Sequence, residues 1–171
     1  MKGLLLTVSS LTALLALAVG LNSALAANHA AGAGVKVGVA NSGLGRVLID
    51  GRGRTLYLFE KDKHGKSSCA GQCAAFWPPL IASGKPLTTA GAKASLLGTT
   101  IRADGRLQVT YNHHPLYTFV KDTNKGQTNG EELDAFGAEW YAISSAGSKV
   151  EKTDNQSSSS TDYPAPSGYS Y

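Results

Sequence analysis

The sequence predicts an all-β domain of two tandem repeats. Each repeat has about four short strands, and the two together form a small sandwich or barrel. Three observations lead there. Sliding the chain against itself by sixty residues lays 45–62 on 105–122 without a gap, with seven identities in eighteen positions, where chance gives about one. Within each copy, short apolar stretches are broken by glycine, asparagine, aspartate and proline turn chemistry. And no long stretch of 35–150 carries apolar residues at helical spacing between helical caps.

Residues 1–26 read as an export signal. Met1-Lys2 gives a positive start, an apolar run follows from Leu4 to Leu25, and Ala24-Leu25-Ala26 places small residues where a signal peptidase reads. The competing reading is an uncleaved membrane anchor. Thr7, Ser9, Ser10, Thr12, Asn22 and Ser23 dilute the run, and the Ala-x-Ala end favours cleavage after Ala26, leaving no membrane span. No cysteine stands at that junction, which removes the chemistry of lipid attachment there. Cleavage leaves 145 residues, enough for one domain with its own core, and lowers the net charge from +4 to +3. A mild charge without a dense Lys/Arg cluster argues against a nucleic-acid partner. The expected state is a monomer.

Residues 27–34 form a small-residue leader. The first repeat then occupies 35–94. Its strands are 35–40, then 46–50 after Asn41-Ser42-Gly43, then 54–60 after Gly51-Arg52-Gly53. The second repeat, 95–150, packs with it as one compact domain. It offers 97–103, a turn at Asp104-Gly105, 106–112, a turn at His113-His114-Pro115, and 116–121. From 151 to 171 the chain is polar and serine-rich, then reads Tyr163-Pro164-Ala165-Pro166-Ser167-Gly168-Tyr169-Ser170-Tyr171. Such a stretch cannot offset its ordering entropy and is expected to be a disordered tail.

The repeated strand carries Tyr57, Phe59 and Asp62 in one copy and Tyr117, Phe119 and Asp122 in the other. By strand parity Tyr57 and Phe59 share one face and Leu56 and Leu58 the other. Both faces are apolar, so these strands should be central and covered on both sides. The aspartates fall beyond the strand, where a carboxylate accepts backbone N–H bonds and fixes an exit turn, so the motif reads as structural. With a three-residue gap Trp77 falls on Trp140, and that equivalence points to duplicated core residues. Cys69 and Cys73 lie four apart. In an exported chain such a pair is expected to be a disulfide that fixes one loop. The same loop, 69–76, is the best short helical candidate.

These residues together resemble a known family. Leu56-Tyr57-x-Phe59-x-x-Asp62, Cys69-x-x-x-Cys73, Trp77-Pro78-Pro79-Leu80, Pro115-Leu116-Tyr117-x-Phe119-x-x-Asp122 and Gly126-x-Thr128-Asn129-Gly130 followed by Phe136-Gly137-x-x-Trp140 occur in that order. They are similar to the bacterial "secreted repeat of unknown function" family, also described as lipoproteins with a Tyr-x-(Phe/Trp/Tyr)-x-x-Asp motif. The likeness spans roughly residues 40–145. It implies a bacterial envelope or extracellular location and no established activity. This chain departs from the family pattern in lacking an acylated cysteine and in carrying Glu131-Glu132 where Gln-Gly is expected after Asn129-Gly130.

Chemistry is sparse beside this. No Gly-x-Ser-x-Gly elbow, His-Glu-x-x-His or phosphate loop occurs, so no enzyme is expected. Copper has more material. If the mature chain starts Ala27-Asn28-His29, its amine, two backbone amides and imidazole form a square of nitrogens suited to Cu(II) or Ni(II). His113-His114 is a weaker ligand pair, because adjacent side chains in a turn diverge. The Cys-x-x-x-Cys spacing with a distant histidine also occurs in copper-delivery and thiol–disulfide proteins, but their alternating βαβ pattern is missing here. The sequence therefore supports an exported, non-catalytic binding or structural module, with an extracytoplasmic Cu(II)-binding or redox protein as the alternative.

Overall fold

The computed structural model describes residues 34–152. The stretch expected to be an export signal, nearly all of the expected leader and the Tyr/Pro-rich tail lie outside the described residues. Among the described residues, nine short strands form three small sheets that do not close into a barrel, and a five-residue helix lies beside them.

The first sheet pairs β1 (Lys36–Ser42) with β2 (Gly45–Asp50) as a hairpin, and β4 (Leu87–Thr88) runs parallel to β1 on its other edge. The second repeat builds the equivalent hairpin from β5 (Leu97–Ile101) and β6 (Leu107–Tyr111), with β7 (His114–Pro115) against β6. The third sheet is composite. β3 (Tyr57–Phe59) comes from the first repeat, while β9 (Ala138–Ala142) and β8 (Leu133–Ala135) come from the second. Helix α1 (Gln72–Phe76) follows Cys69 in the loop where a helix was expected.

The two repeats are interlaced. Leu48 N–H donates to Ile143 C=O, Leu56 N–H to Leu48 C=O, and Ile143 N–H to Leu56 C=O, at 2.7, 2.9 and 3.2 Å. Sixty-odd residues on, Val109 N–H donates to Leu80 C=O, Leu116 N–H to Val109 C=O, and Leu80 N–H to Leu116 C=O, at 2.8, 2.9 and 2.9 Å. Each ring of three takes two members from one repeat and the third from the other. Between the rings, Tyr57 and Tyr117 exchange both backbone hydrogen bonds, at 2.9 and 3.1 Å. This antiparallel bridge between equivalent residues marks a local two-fold relation. The stretch 116–121, expected as a strand, does not form one: Tyr117 makes single bridges to Tyr57 and Pro79 and not a continuous ladder.

The repeated strand divides two cores, as parity requires. Leu56, Leu58 and Leu116 point into a mainly aliphatic cluster with Val37, Leu48 and Val109. Tyr57, Phe59, Tyr117 and Phe119 point into an aromatic cluster with Trp77 and Trp140. Val120, at the outer end of the second copy, is exposed.

Candidate functional site

In the aromatic core, each conspicuous side chain of one repeat is completed by the other. The Tyr57 phenol donates to Asp122 Oδ2 at 2.6 Å, and the Tyr117 phenol donates to Asp62 Oδ2 at 2.7 Å. Each aspartate also fixes its exit turn. Asp62 Oδ1 accepts the Ser68 N–H at 2.7 Å, and Asp122 Oδ1 accepts the Asn129 N–H at 2.9 Å. Burial pushes both phenols and both carboxyls above their ordinary values, and the hydrogen bonds to the phenols and N–H groups pull the carboxyls back. The strand–turn spacing of tyrosine and aspartate is local. Their partnership is not, and the sequence reading of the aspartates as turn anchors alone missed it.

The rings obey the same symmetry. Phe59, Trp140, Trp77 and Phe119 form a continuous stack with centroids 4.0, 3.9 and 4.2 Å apart. Tyr57 meets Trp77 edge-on at 5.3 Å, and Tyr117 meets Trp140 edge-on at 5.1 Å. Both tryptophans are about 1% exposed or less. Gly130 lies against this stack: a Cβ there would sit 2.6 Å from the Trp77 ring and 3.0 Å from the Tyr57 ring. The motif residues are thus occupied in holding the repeats together.

Cys69 and Cys73 form a disulfide. The Cys69 C=O accepts from the buried Arg102 guanidinium at 2.6 Å, which also donates to Ser67 Oγ and Gln108 Oε1. The stapled loop of the first repeat is thereby tied to the β5–β6 hairpin of the second.

Three features remain. A cleft of about 490 Å³ is lined by Asp62, His64, Asn112, His113 and His114. Asn112 and His113 have φ of 47° and 67°, which makes the tight β6–β7 turn. His113 is exposed and His114 half-buried, with burial holding the His114 imidazole below its ordinary value. Among the described residues no group of three or more His, Cys, Asp or Glu side chains is placed to hold a metal ion. Ala27, Asn28 and His29 lie outside the described residues.

The second feature is Glu131, a buried residue only 4% exposed. Its Oε2 accepts the Ala142 N–H at 2.6 Å, while its Oε1 has no hydrogen-bond partner. Burial pushes this carboxyl up to about 7. Nothing in the sequence beyond the departure at Glu131-Glu132 could have marked it.

The third is an apolar groove of about 250 Å³ between α1 and the β8–β9 hairpin, at the end of the ring stack. Trp77 and Phe119 line its base, with Phe76, Leu133 and Phe136 around it and Lys121 at the rim. Phe76, Leu133 and Phe136 are 42%, 37% and 39% exposed. Phe136 takes a left-handed backbone, φ 61°, in a two-residue turn with Gly137 at φ 90°. A phenylalanine held there is strained by about 1–3 kcal/mol, and the turn sets its ring 6.1 Å from Phe76.

Among the described residues no helix is long and apolar enough to cross a membrane. No curated protein and no solved structure matches the chain. The family model described as "secreted repeat of unknown function" matches it twice, over 38–81 and 98–144. The two matches start sixty residues apart and end sixty-three apart, reproducing the register and the three-residue gap of the internal repeat. The chain belongs to the family of secreted repeats of unknown function.

Proposed function

We propose that this protein is a non-catalytic binding module on the extracytoplasmic side of a bacterial membrane, and that it engages its partner through the Phe76–Phe136 groove. The supporting observation is the groove itself. Three large apolar side chains stay solvent-exposed around it, one of them on a strained backbone, while the other aromatics among the described residues are packed inside. Partner recognition is the usual meaning of such a contiguous apolar surface. Its walls suit an extended apolar or proline-bearing segment, since rigid aromatic grooves take such segments at low entropic cost. The copper alternative rests on Ala27-Asn28-His29, outside the described residues, and on His113-His114, for which the described cleft supplies no complete ligand set.

The test is retention of envelope and secreted material from the host on immobilised protein, compared with a Phe76→Ser, Phe136→Ser variant of unchanged melting temperature. Material retained by the parent and lost by the variant supports the reading. Equal retention by both contradicts it, as does catalytic turnover abolished by a single substitution elsewhere.

A further inference from the structure

We propose that the groove is occupied by this chain's own C-terminal segment, residues 163–171, so that the module carries its own competing ligand. The proposal rests on the groove being a binding surface and names its first occupant.

The path of the chain is the first argument. Segment 149–150 lies antiparallel to β9: Ile143 bridges Lys149, and Val150 N–H donates to Ala142 C=O at 2.8 Å. β8 is also antiparallel to β9. The segment leading to Lys152 and β8 therefore run in the same sense. The described chain ends where β8 begins. Lys152 N–H donates to Glu132 Oε1 at 3.0 Å, and Lys152 Nζ pairs with Glu132 Oε2 at 3.2 Å. Glu132 directly precedes Leu133, the first groove residue on β8. The chain thus leaves the described structure beside the groove and aimed along its β8 wall.

Length is the second argument. Ten residues, 153–162, separate this exit from Tyr163. A serine-rich linker of that length has a root-mean-square reach of about 17–19 Å. This is ample for a groove whose wall begins one residue from the exit. Tethering at that range presents the segment at an effective concentration in the millimolar range, so a weak intrinsic affinity suffices to fill the groove.

Chemistry is the third argument. Residues 163–171 contain Tyr163, Tyr169 and Tyr171, with Pro164 and Pro166 between the first two. Proline fixes an extended backbone with few donors. Tyrosine rings supply apolar area with a polar tip, which matches an aromatic floor open to water. Asp162, directly before Tyr163, is opposite in charge to Lys121 on the rim. The exposed β8 edge leaves backbone groups for an extended segment to pair with.

The experiment follows backbone amide resonances of Phe76, Leu133 and Phe136 in the full chain and in a full-length Tyr163→Ser, Tyr169→Ser, Tyr171→Ser variant. A capped synthetic peptide of residues 160–171 is then titrated into each. The proposal expects groove resonances to differ between the two proteins at every protein concentration. It also expects the peptide to bind the variant at least about tenfold more tightly than the parent, because the tethered copy competes. Unchanged groove resonances overturn the proposal. So do differences that scale with protein concentration, which assign the groove to a second copy. If the peptide binds neither protein while host material is still lost on Phe76→Ser, Phe136→Ser, the tail proposal fails and the binding-module reading stands.

Discussion

Tyr57 and Asp122 stand 65 residues apart in sequence, yet the phenol of one donates to the carboxylate of the other at 2.6 Å, and Tyr117 with Asp62 repeats the bond in the opposite direction. The duplicated motif works as two halves of a clasp. Each repeat provides a tyrosine for its partner's aspartate, and neither bond can form within one copy. Around the clasp the Phe59–Trp140–Trp77–Phe119 stack alternates in origin as well.

Tyr57→Phe is expected to destabilise the protein by about 1–3 kcal/mol, the usual cost of leaving a buried acceptor short of its donor. Tyr117→Phe should cost about the same, because each phenol has a second partner: Tyr117 bonds Ser67 Oγ at 2.7 Å, and Tyr57 accepts the Gly130 N–H at 3.3 Å. Urea unfolding of the single variants and of Tyr57→Phe with Asp122→Asn measures the coupling directly. The swapped pair should couple by about 0.5–3 kcal/mol, and more strongly than Tyr57 with Asp62. Equal coupling for the two pairs would argue against the clasp.

The same phenols set the alkaline limit. Burial, followed by the carboxylates beside them, raises both phenols above the ordinary tyrosine value. A raised folded-state pKa means stability is complete below about 10 and declines as pH climbs past it, since only the unfolded chain then gives up the proton. Melting temperatures recorded from pH 8 to 11 should fall beyond pH 10, and fall less steeply in Tyr57→Phe. A flat profile would contradict this.

How much of this was legible before the structure depends on sequence distance. The sixty-residue register, the two-faced strand, the helix after Cys69 and the equivalence of Trp77 with Trp140 all rest on local pattern or direct self-comparison. The exchange of partners between copies does not, because identical repeats pair equally well in register or swapped on paper. Only the backbone bridge between Tyr57 and Tyr117 decides it. Strands of two or three residues such as β4 and β8 carry too few positions for a period to show. The groove joins Phe76 to Phe136 across sixty residues, through a turn whose positive φ a phenylalanine does not advertise.

Glu131 gives a second pH dependence of the same sign at a lower pH. Its carboxyl is pushed up to about 7, so its contribution is most favourable below the ordinary carboxylate range and is lost as pH rises through 7. Glu131→Gln removes the charge and should stabilise the protein at pH 8 by about 1–3 kcal/mol, with the gain vanishing near pH 4. Denaturant midpoints at the two pH values check it. A pH-independent difference would count against the assignment.

Reduction of Cys69–Cys73 removes a ring of five residues, worth about 2 kcal/mol in the chain-entropy account. Cys69→Ser with Cys73→Ser should lower the melting temperature without unfolding the domain at room temperature. Loss of the near-ultraviolet circular dichroism of the tryptophan stack at 25 °C would show that the loop matters more than its ring size implies.

The central claim is that the two repeats complete each other, and the most direct measurement is near-ultraviolet circular dichroism of each repeat alone. Residues 34–94 and 95–152, made separately, should lack the signal of the stacked tryptophans and show no cooperative melting, and an equimolar mixture should regain both. A native-like tryptophan signal with a cooperative transition from either repeat alone would contradict the account.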